Sequence, residues 1–222
     1  MEFLQNIIKI WDKYHGLYLD GLWGTLWISV VVVLCGTLLG TLVALCRMSR
    51  SKLLNSIINV YIEIIRGTPI LVQLYFFWIA LPKILPFEMT DTQSILAALV
   101  INASAYIAEI IRAGINAVDK GQWEAAKSIG LSTRNTMTRV ILPQAIKNIL
   151  PALCNEFIST VKGTSLASVF FLGELTTAYK TAGAATFLQL PCITIAAVIY
   201  FTVNFILSRL LKILERRLTV SD

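Results

Sequence analysis

The sequence contains few charged residues: they make up 14% of its 222 residues, whereas hydrophobic residues make up 56%. A soluble domain of ordinary composition carries about 25% charged residues. A single apolar core cannot absorb this much hydrophobic sequence, so the composition argues against an ordinary soluble domain. Residues 22–46 and 187–208 contain no charge at all. A membrane-spanning helix needs about 20 predominantly apolar residues, so both runs are predicted to span a bilayer.

Residues that commonly bind metals are also scarce. The chain has one histidine, His15, and four cysteines. Cys35, Cys46, Cys154 and Cys192 lie in or beside apolar segments and show no metal-ligand spacing. We interpret them as small apolar residues rather than as disulfide partners or metal ligands. Residues 1–20 lack a continuous apolar core followed by a small-residue cleavage site, so no cleavable signal peptide is predicted.

The hydrophobic pattern predicts an all-α polytopic membrane protein with about five transmembrane helices in a single domain, residues 1–222. The predicted spans are 22–46, 55–81, 93–117, 146–172 and 187–211. The fourth is expected to be broken at Pro151 and at Lys162–Gly163, because proline and glycine weaken a helix interior. Residues 81–93 and 174–187 are predicted to be short connections on the exterior.

The net charge of +6 is concentrated at the ends of apolar segments. This is the positive-inside pattern of membrane proteins, so a nucleic-acid partner is not expected. It predicts an exterior N-terminus and a cytoplasmic C-terminus. Five spans are consistent with this, because an odd number of crossings places the two termini on opposite sides of the membrane. The basic residues form three groups: Arg47, Arg50 and Lys52; Lys120, Lys127, Arg134, Arg139 and Lys147; Arg209, Lys212, Arg216 and Arg217.

Some ionisable residues interrupt the apolar segments: Glu63, Arg66, Glu109, Glu156 and Lys162. A charge at the centre of a spanning helix costs about 2.5–3.5 kcal/mol, so such residues need partners or water. Glu63 and Arg66 are three residues apart and share a helix face, as do Glu109 and Arg112. Two interpretations remain open: self-neutralising pairs that join helices, or a polar pathway across the bilayer.

Two helix interruptions favour the pathway. "RGTP" at 66–69 and "KGTS" at 162–165 place glycine or proline inside apolar spans. Broken helices at membrane depth are tolerated where their backbone lines a cavity, and paired breaks indicate a substrate site. Asn102, Tyr106 and Glu109 add a polar stripe at helical spacing. The candidate substrate-binding residues are Glu63, Arg66, Thr68, Asn102, Tyr106, Glu109, Lys162, Gly163, Thr164 and Ser165.

The chemistry of these side chains suits a zwitterion such as an amino acid. Arg66 or Lys162 would hold a carboxylate, and Glu109 or Glu63 would hold an ammonium group. In the first span, Gly36, Gly40 and Ala44 are four residues apart. They either let another helix approach closely or are ordinary small residues of a membrane helix.

The longest polar passage is residues 121–144. Asp119 is a plausible N-cap for a short helix that Gly130 would end. Trp123, Ala126 and Ile129 are expected on one side of this helix, and Glu124, Lys127 and Ser128 on the other. The helix would either dock onto a partner or lie on the membrane surface.

The passage contains "EAAKSIG" and, nine residues later, "VILP". It resembles the EAA-loop signature of ABC import permeases, with Val140 where isoleucine is usual. "IRGTPILVQLYFFW", "NASAYIAEIIRAGINAVDKGQWEAAKSIGLS" and "VKGTSLASV" are similar to the polar amino acid subfamily, the histidine, glutamine and cystine type. The similarity extends over about residues 20–215.

The resemblance implies a type I ABC importer permease fold with a cytoplasmic coupling helix, located in the bacterial cytoplasmic (inner) membrane. The implied partners are an ABC ATPase dimer, a second or paralogous permease, an extracytoplasmic substrate-binding protein, an amino acid and membrane lipid. ATP and Mg would be bound by the ATPase, because this sequence has no G-x-x-x-x-G-K-[ST] loop; no cofactor, metal or enzymatic activity is expected in this chain. The residues implied in ATPase coupling are Gln122, Glu124, Ala125, Ala126, Gly130 and Arg134.

The subfamily often has Lys-Asp-Thr-Ser where this chain has Gly163 in place of the aspartate. Within the class of glutamine, cystine and arginine or histidine, we therefore expect a reduced preference for arginine or lysine. A stand-alone, ion-driven amino acid transporter is the alternative. It would account for the buried charges but not for the EAA loop. A structural membrane-assembly protein would not account for the broken helices.

Overall fold

The computed structural model describes residues 1–49 and 51–219, so Arg50, one of the predicted basic residues, lies outside the described residues. A π-helical turn, Thr136–Ile141, precedes α7, and a 3-10 helix, Thr164–Phe170, follows it. The α-helices are α1 Glu2–Arg47, α2 Lys52–Gly67, α3 Ile70–Ile84, α4 Asp91–Asn116, α5 Lys120–Ser128, α6 Thr133–Asn135, α7 Leu142–Gly163, α8 Leu175–Thr186 and α9 Gln189–Thr219.

Helix α4 is at the centre of the bundle, and α1 runs beside it in the same direction. Gly36 of α1 lies next to Ala103, and Gly40 lies next to Ile107. The main apolar core lies between these helices, α3 and the 3-10 helix. Its largest buried side chains include Val32, Leu74, Ile95, Leu99 and Ile107.

Helices α3 and α7 run opposite to α4. Asn102 of α4 contacts Gln73 near the start of α3, whereas Asp91, at the start of α4, accepts a hydrogen bond from Trp78 farther along α3. Near the end of α4, Gly114 packs against Ile149 near the start of α7. The antiparallel arrangement brings the end of α7 back to the level of Asn102.

Helix α9 runs in the same direction as α1. The Tyr18 hydroxyl donates a hydrogen bond of 3.0 Å to the Cys192 carbonyl near the start of α9. Farther along both helices, Val33 and Leu207 line the same groove. Helices α1, α4 and α9 therefore point one way, and α3 and α7 point the other.

Three helices, α1, α4 and α9, are long and apolar enough to cross a membrane, and a fourth crossing arises if α2 and α3 form one bent span. The five predicted spans correspond to these segments and α7. Helix α7 carries Lys147, Glu156 and Lys162 and is not among the candidates by length and composition. The predicted helices are therefore present, although several of their boundaries differ.

The first span was predicted to begin at residue 22, but α1 begins at Glu2. Its first half is stabilised by tertiary packing, because Ile10 and Tyr18 are buried against α8 and α9. At about 1.5 Å per residue, the 46 residues of α1 extend roughly 69 Å, more than twice the thickness of a hydrocarbon core.

The break predicted at "RGTP" is confirmed. Helix α2 ends at Gly67, α3 starts at Ile70, and their axes are bent by 112°. Pro69 is the N-cap of α3, where its missing N–H is not needed by the helix. The predicted fourth span differs: Pro151 lies inside a continuous α7, and only the second expected break is found, as a change to 3-10 geometry after Gly163.

Residues 174–187 were predicted to be a connection, but they form the packed helix α8. Glu174 caps it, accepting hydrogen bonds from the backbone N–H groups of Thr176 and Thr177 at 2.8 and 2.6 Å. The carboxylate is 0% exposed and also accepts a bond from the Tyr200 hydroxyl at 2.8 Å. These three donors compensate the cost of burying the Glu174 charge. The polar composition of residues 174–187 does not by itself indicate that they form a buried helix.

The small residues of α1 allow close approach to α4, as one of the two interpretations predicted. A Cβ added at Gly36 would lie 2.9 Å from the Ala103 Cβ, and one at Gly40 would lie 2.8 Å from the Ser104 carbonyl oxygen. Ala44 continues this face and is buried against Ala108. The two helix backbones are therefore in contact over two turns.

We expect Gly40→Ala to lower the free energy of unfolding by about 1–3 kcal/mol, because the added methyl group meets backbone that cannot move easily. Gly16→Ala is the matched control in the same helix, since nothing lies within 4 Å of its Cβ position. The control is expected to raise stability by up to about 1 kcal/mol, since alanine is the better helix former. Thermal unfolding of the detergent-solubilised protein measures both. Equal midpoints would contradict the close α1–α4 contact.

Candidate functional site

The break between α2 and α3 is held by one buried glutamine. The Gln73 amide nitrogen donates to the carbonyls of Ile65 and Thr68, at 2.6 and 3.1 Å, and to the Thr68 hydroxyl at 2.7 Å. Its amide oxygen accepts a hydrogen bond of 2.9 Å from Asn102 of α4. Carbonyl groups freed by the break are thereby satisfied, as backbone inside an apolar environment requires. The same contacts fix the break against α4.

A cavity of about 380 Å³ opens beside this break. Its volume lies within the range of small-molecule sites, about 300–1,000 Å³. Residues from α1, the α2–α3 break, α4 and α7 line it: Val32, Thr68, Pro69, Ile70, Leu99, Asn102, Ala103, Tyr106, Glu156, Ser159, Thr160 and Gly163. The walls combine apolar side chains with hydroxyl, amide and carboxylate groups.

Glu156 is the one charged residue in this lining. Its side chain is partly buried, and among residues 1–49 and 51–219 its carboxylate has no hydrogen-bond or ion-pair partner. A partly buried carboxylate is stabilised by an ammonium group that approaches it. The cavity is thus suited to a cation or to the positive end of a zwitterion.

The N-terminus of α3 meets the cavity at Thr68, Pro69 and Ile70. The helix has 15 residues and no side-chain cap at this end. The first N–H groups of a helix have no partner within it and carry partial positive charge. This end of α3 therefore provides hydrogen-bond donors for an anionic group in the cavity that contains Glu156.

The structure brings four of the predicted substrate residues together in this cavity: Thr68, Asn102, Tyr106 and Gly163. The Tyr106 ring also contacts Arg66, whose guanidinium lies over it, 5.4 Å from the ring centre. Arg66 itself is outside the lining. Arg66 contacts Tyr106, which lines the cavity.

Glu109 lies outside the cavity and instead joins three arginines. Arg47 donates to it at 2.7 Å, and Arg112 donates through two nitrogens, its Nε lying 3.0 Å from each carboxylate oxygen. Arg66 is 4.0 Å away. The Glu109–Arg112 pair was predicted from the sequence, whereas the contacts to α1 and α2 were not. The carboxylate connects the ends of α1 and α2 to α4.

The other predicted pair does not form. Glu63 is exposed, and within the described residues no ion pair connects it to Arg66, whose acidic partner is Glu109. Sharing a helix face allows two side chains to meet, but the Arg66 guanidinium instead lies over the Tyr106 ring and 4.0 Å from Glu109. Neither Glu63 nor Glu109 is in the cavity lining, whereas Glu156 is.

The four "KGTS" residues, 162–165, do not lie in one site. Lys162 and Ser165 line a second cavity of about 360 Å³, between α7, α8 and α9, together with Tyr179 and Tyr200. Thr164 is fully buried, and its hydroxyl donates to the Val161 carbonyl at 2.9 Å. Of the four residues, only Gly163 reaches the first cavity, because consecutive residues of a helix point in different directions.

The predicted short helix is present as α5. The Asp119 side chain accepts a 2.6 Å hydrogen bond from the Gly121 N–H, and Gly130 adopts a φ of +79° just after the helix, as expected of a glycine C-terminus. Trp123 and Ala126 face the protein, but Ile129 is 77% exposed, so the prediction that it shares their side is wrong. Ile129 follows the last helical turn, where the chain no longer keeps helical spacing.

Helix α5 packs mainly against the π-helical turn Thr136–Ile141, and Gln122 accepts a hydrogen bond of 3.2 Å from Gln144 of α7. Trp123 contacts a cluster formed by Val118, Ile141, Ala145 and Ile149. Among the residues implied in ATPase coupling, Ala126 is buried, so its side chain faces the rest of the protein. The others present an outward surface: Gln122, Glu124, Ala125, Gly130 and Arg134 are exposed.

Sequence reasoning missed two residues that organise the cavity. Gln73 is the one amide in "ILVQLYFFW", and an isolated amide just after a helix break signals that freed backbone needs a partner. Glu156 was recognised as a charge inside an apolar segment, but not as a site residue. Its position opposite Asn102 and Tyr106 depends on the antiparallel packing of α4 and α7.

Residues 36–220 match the family model described as the inner membrane component of binding-protein-dependent transport systems. The chain is 40% identical over 204 residues to the arginine transport system permease protein ArtQ of Bacillus subtilis strain 168, covering 92% of this chain and 93% of the relative. It is 41% identical over 215 residues to the L-cystine transport system permease protein TcyB of the same strain, covering 94% and 91%.

Two solved structures share the fold. A crystal structure of an amino acid ABC transporter with histidines matches with a TM-score of 0.89 and 43% identity, covering 93% of this chain and 96% of that one. An inward-facing methionine ABC transporter, MetNI, matches with a TM-score of 0.70 over 90% and 97%, and at 17% identity it supports the fold alone. These matches confirm the resemblance carried by the EAA loop and the expectation of a transport subunit rather than an enzyme. The chain belongs to the inner-membrane permease components of binding-protein-dependent transport systems, and its relatives there are amino acid ABC permeases.

Proposed function

We propose that the chain is the pore-forming subunit of an ATP-driven importer of polar L-amino acids, and that the Glu156 cavity holds the amino acid during transport. The observation that supports this most directly is that the Glu156 carboxylate, which has no partner among the described residues, lines a polar cavity beside a broken helix. Substrate sites of membrane transporters are commonly built at such discontinuous helices.

The two ends of the cavity suit the two charges of an amino acid. Glu156 accepts hydrogen bonds from the α-ammonium group, and the backbone N–H groups at the start of α3, from Ile70 onward, donate hydrogen bonds to the α-carboxylate. Asn102 and Tyr106 line the wall between them and provide hydrogen-bonding groups for a polar side chain. In this arrangement backbone N–H groups, rather than the side chains of Arg66 or Lys162, hold the carboxylate of the amino acid.

The proposed substrate class is glutamine, cystine, and arginine or histidine, with arginine disfavoured. The relatives are named for arginine and for cystine transport, so family membership leaves the individual substrate open. Gly163 lines the cavity and contributes no charge to it. With one carboxylate committed to the α-ammonium group, the cavity lacks a second acid for a cationic side chain.

The exposed surface of α5 is proposed to dock into a partner ATPase that binds ATP and Mg, so this chain needs no cofactor. Gln122, Glu124, Ala125, Gly130 and Arg134 would form the contact, and the buried Ala126 would hold the helix against the rest of the chain. A second or paralogous permease would complete the pore. An extracytoplasmic binding protein would deliver the amino acid.

The proposed location is the bacterial inner membrane, with the N-terminus outside and the C-terminus cytoplasmic. Helices α1, α3, α4, α7 and α9 have the alternating directions that five passes of this topology require. The basic ends of α1 and α9, and the α5 region, then lie together on the cytoplasmic side.

The function is tested by reconstituting the permease with its ATPase in proteoliposomes, adding the binding protein, and measuring uptake and ATP hydrolysis for individual amino acids. Hydrolysis stimulated by binding protein and one amino acid, together with uptake of that amino acid, is the expected result. Uptake that proceeds without ATP would overturn the proposal in favour of an ion-driven transporter.

Glu156→Gln is expected to reduce uptake by about 10- to 100-fold, because hydrogen bonds to charged groups contribute roughly 1.5–3 kcal/mol. Basal ATP hydrolysis should be unchanged. Glu63→Gln is the matched control, since that carboxylate is exposed and outside the cavity. Equal uptake by the two variants would remove Glu156 from the substrate site.

Gly163→Asp is expected to raise the preference for arginine over glutamine by about tenfold or more, since it adds a carboxylate for the guanidinium group. A Cβ at this position meets nothing within 4 Å, so the side chain is accommodated. Glu156 is seven residues earlier on the same face of α7. Competition uptake assays with both amino acids measure the ratio, and Gly163→Asn, of the same shape without the charge, should leave it unchanged.

Ile129 ends α5 beside Gly130 and is 77% exposed, so it would be the apolar residue of the docking surface. Ile129→Ser is expected to weaken recovery of the ATPase with the purified permease by about tenfold, because an apolar anchor buried in an interface contributes more than about 1 kcal/mol. Ile84→Ser is the control, since Ile84 is similarly exposed, at 72% against 77%, but ends α3. Undiminished ATPase recovery with Ile129→Ser would exclude this residue from the docking surface.

A further inference from the structure

A groove of about 330 Å³ runs between α1, α7 and α9, separate from both polar cavities. Its walls are almost entirely apolar: α7 contributes Leu153 and Phe157, and α9 contributes Leu207 and Leu211. The only side chains with a polar group are Thr37 and Cys154. A groove of this kind suits a hydrocarbon chain and offers nothing to hold an amino acid.

Two basic residues continue the faces that form the groove. Lys147 lies seven residues before Cys154 on α7, and Arg217 lies seven residues after Leu210 on α9. Residues seven apart lie on one face of a helix, about two turns or roughly 10 Å along the axis. Since α7 and α9 run in opposite directions, both residues extend the groove at the same end.

The surrounding charge at this end is positive. The last turns of α9 carry Arg209, Lys212, Arg216 and Arg217 against one acid, Glu215. Lys and Arg side chains near a helix end can place their charged groups at the membrane surface while their methylene stems stay in apolar surroundings. Basic pockets between membrane helices attract the headgroups of anionic lipids.

We propose that this groove binds an acyl chain of an anionic phospholipid whose phosphate lies against Lys147 and Arg217. The occupant is a lipid and not a soluble anion, because an apolar groove leads directly to the basic end. A lipid without net charge fits the groove equally well but lacks the electrostatic contribution, so headgroup charge determines selectivity. In the proposed orientation the lipid belongs to the cytoplasmic leaflet.

Cys154 reports on the groove without altering it. The full-length protein carrying Cys35→Ser and Cys46→Ser retains Cys154 and the fully buried Cys192. The delipidated protein is mixed with detergent micelles containing phosphatidylglycerol or phosphatidylethanolamine with identical acyl chains. The rate of alkylation by N-ethylmaleimide is then measured against lipid concentration.

We expect phosphatidylglycerol to protect Cys154 at a lipid concentration about tenfold or more below that required for phosphatidylethanolamine. The reason is that each basic residue near an anionic headgroup contributes roughly a fivefold change in affinity. Arg217→Gln should remove most of this difference. Arg209→Gln removes the same charge from another face of α9, where the guanidinium lies over Phe205 at 4.9 Å, and should preserve it.

A second control uses Cys35, which is exposed on α1 outside the groove. In a protein with Cys46→Ser and Cys154→Ser, its alkylation should be equally sensitive to both lipids. Equal protection of Cys154 by the two lipids would identify bulk lipid and overturn the proposal. Protection by inorganic phosphate alone would indicate a soluble anion, and a Cys154 unreactive without lipid would indicate a groove covered by a second copy; either result would also overturn it.

Discussion

The rest of the structure depends on the contact between α1 and α4, where Gly36 and Gly40 let two helix backbones meet. In a membrane, apolar side chains gain little by leaving lipid for protein, so close packing between helices has to provide the stabilisation. This contact fixes α4 at the centre of the bundle. All other long segments except α9 and α8 then pack directly on α4 or on its junction with α1.

The second constraint is that polar backbone inside an apolar bundle needs a partner. The break after Gly67 would expose carbonyl groups, and Gln73 satisfies them while bonding to Asn102. The break, the amide and α4 therefore form one unit. The cavity exists because this unit holds the bent α2–α3 segment away from α7, and the start of α3 lies at its edge because α3 begins at the bend.

Much of this could be predicted where the signal is local. The glycine face of α1, the break at 66–69, and the helix between Asp119 and Gly130 each follow from residues a few positions apart. The Arg47–Glu109 and Gln73–Asn102 contacts join residues 62 and 29 positions apart, so no local spacing indicates them. Helix α8 was missed for a related reason: the burial of Glu174 depends on Tyr200, which belongs to another helix.

Helix α4 connects the features that the proposed transport cycle would couple. It carries Asn102 and Tyr106 at the cavity and Glu109 among the arginines. Val118, which follows the end of α4, belongs to the cluster that Trp123 of α5 contacts. Because α5 packs on the π-helical turn that leads into α7, and Gln122 bonds to Gln144 of α7, a displacement of α5 would act on α7 and, through the cluster around Val118, on α4. The three arginines around Glu109 would carry the same displacement to the ends of α1 and α2, one turn from the Tyr106 ring. A small movement of α5 would thus change the shape of the cavity without any change at Glu156 itself.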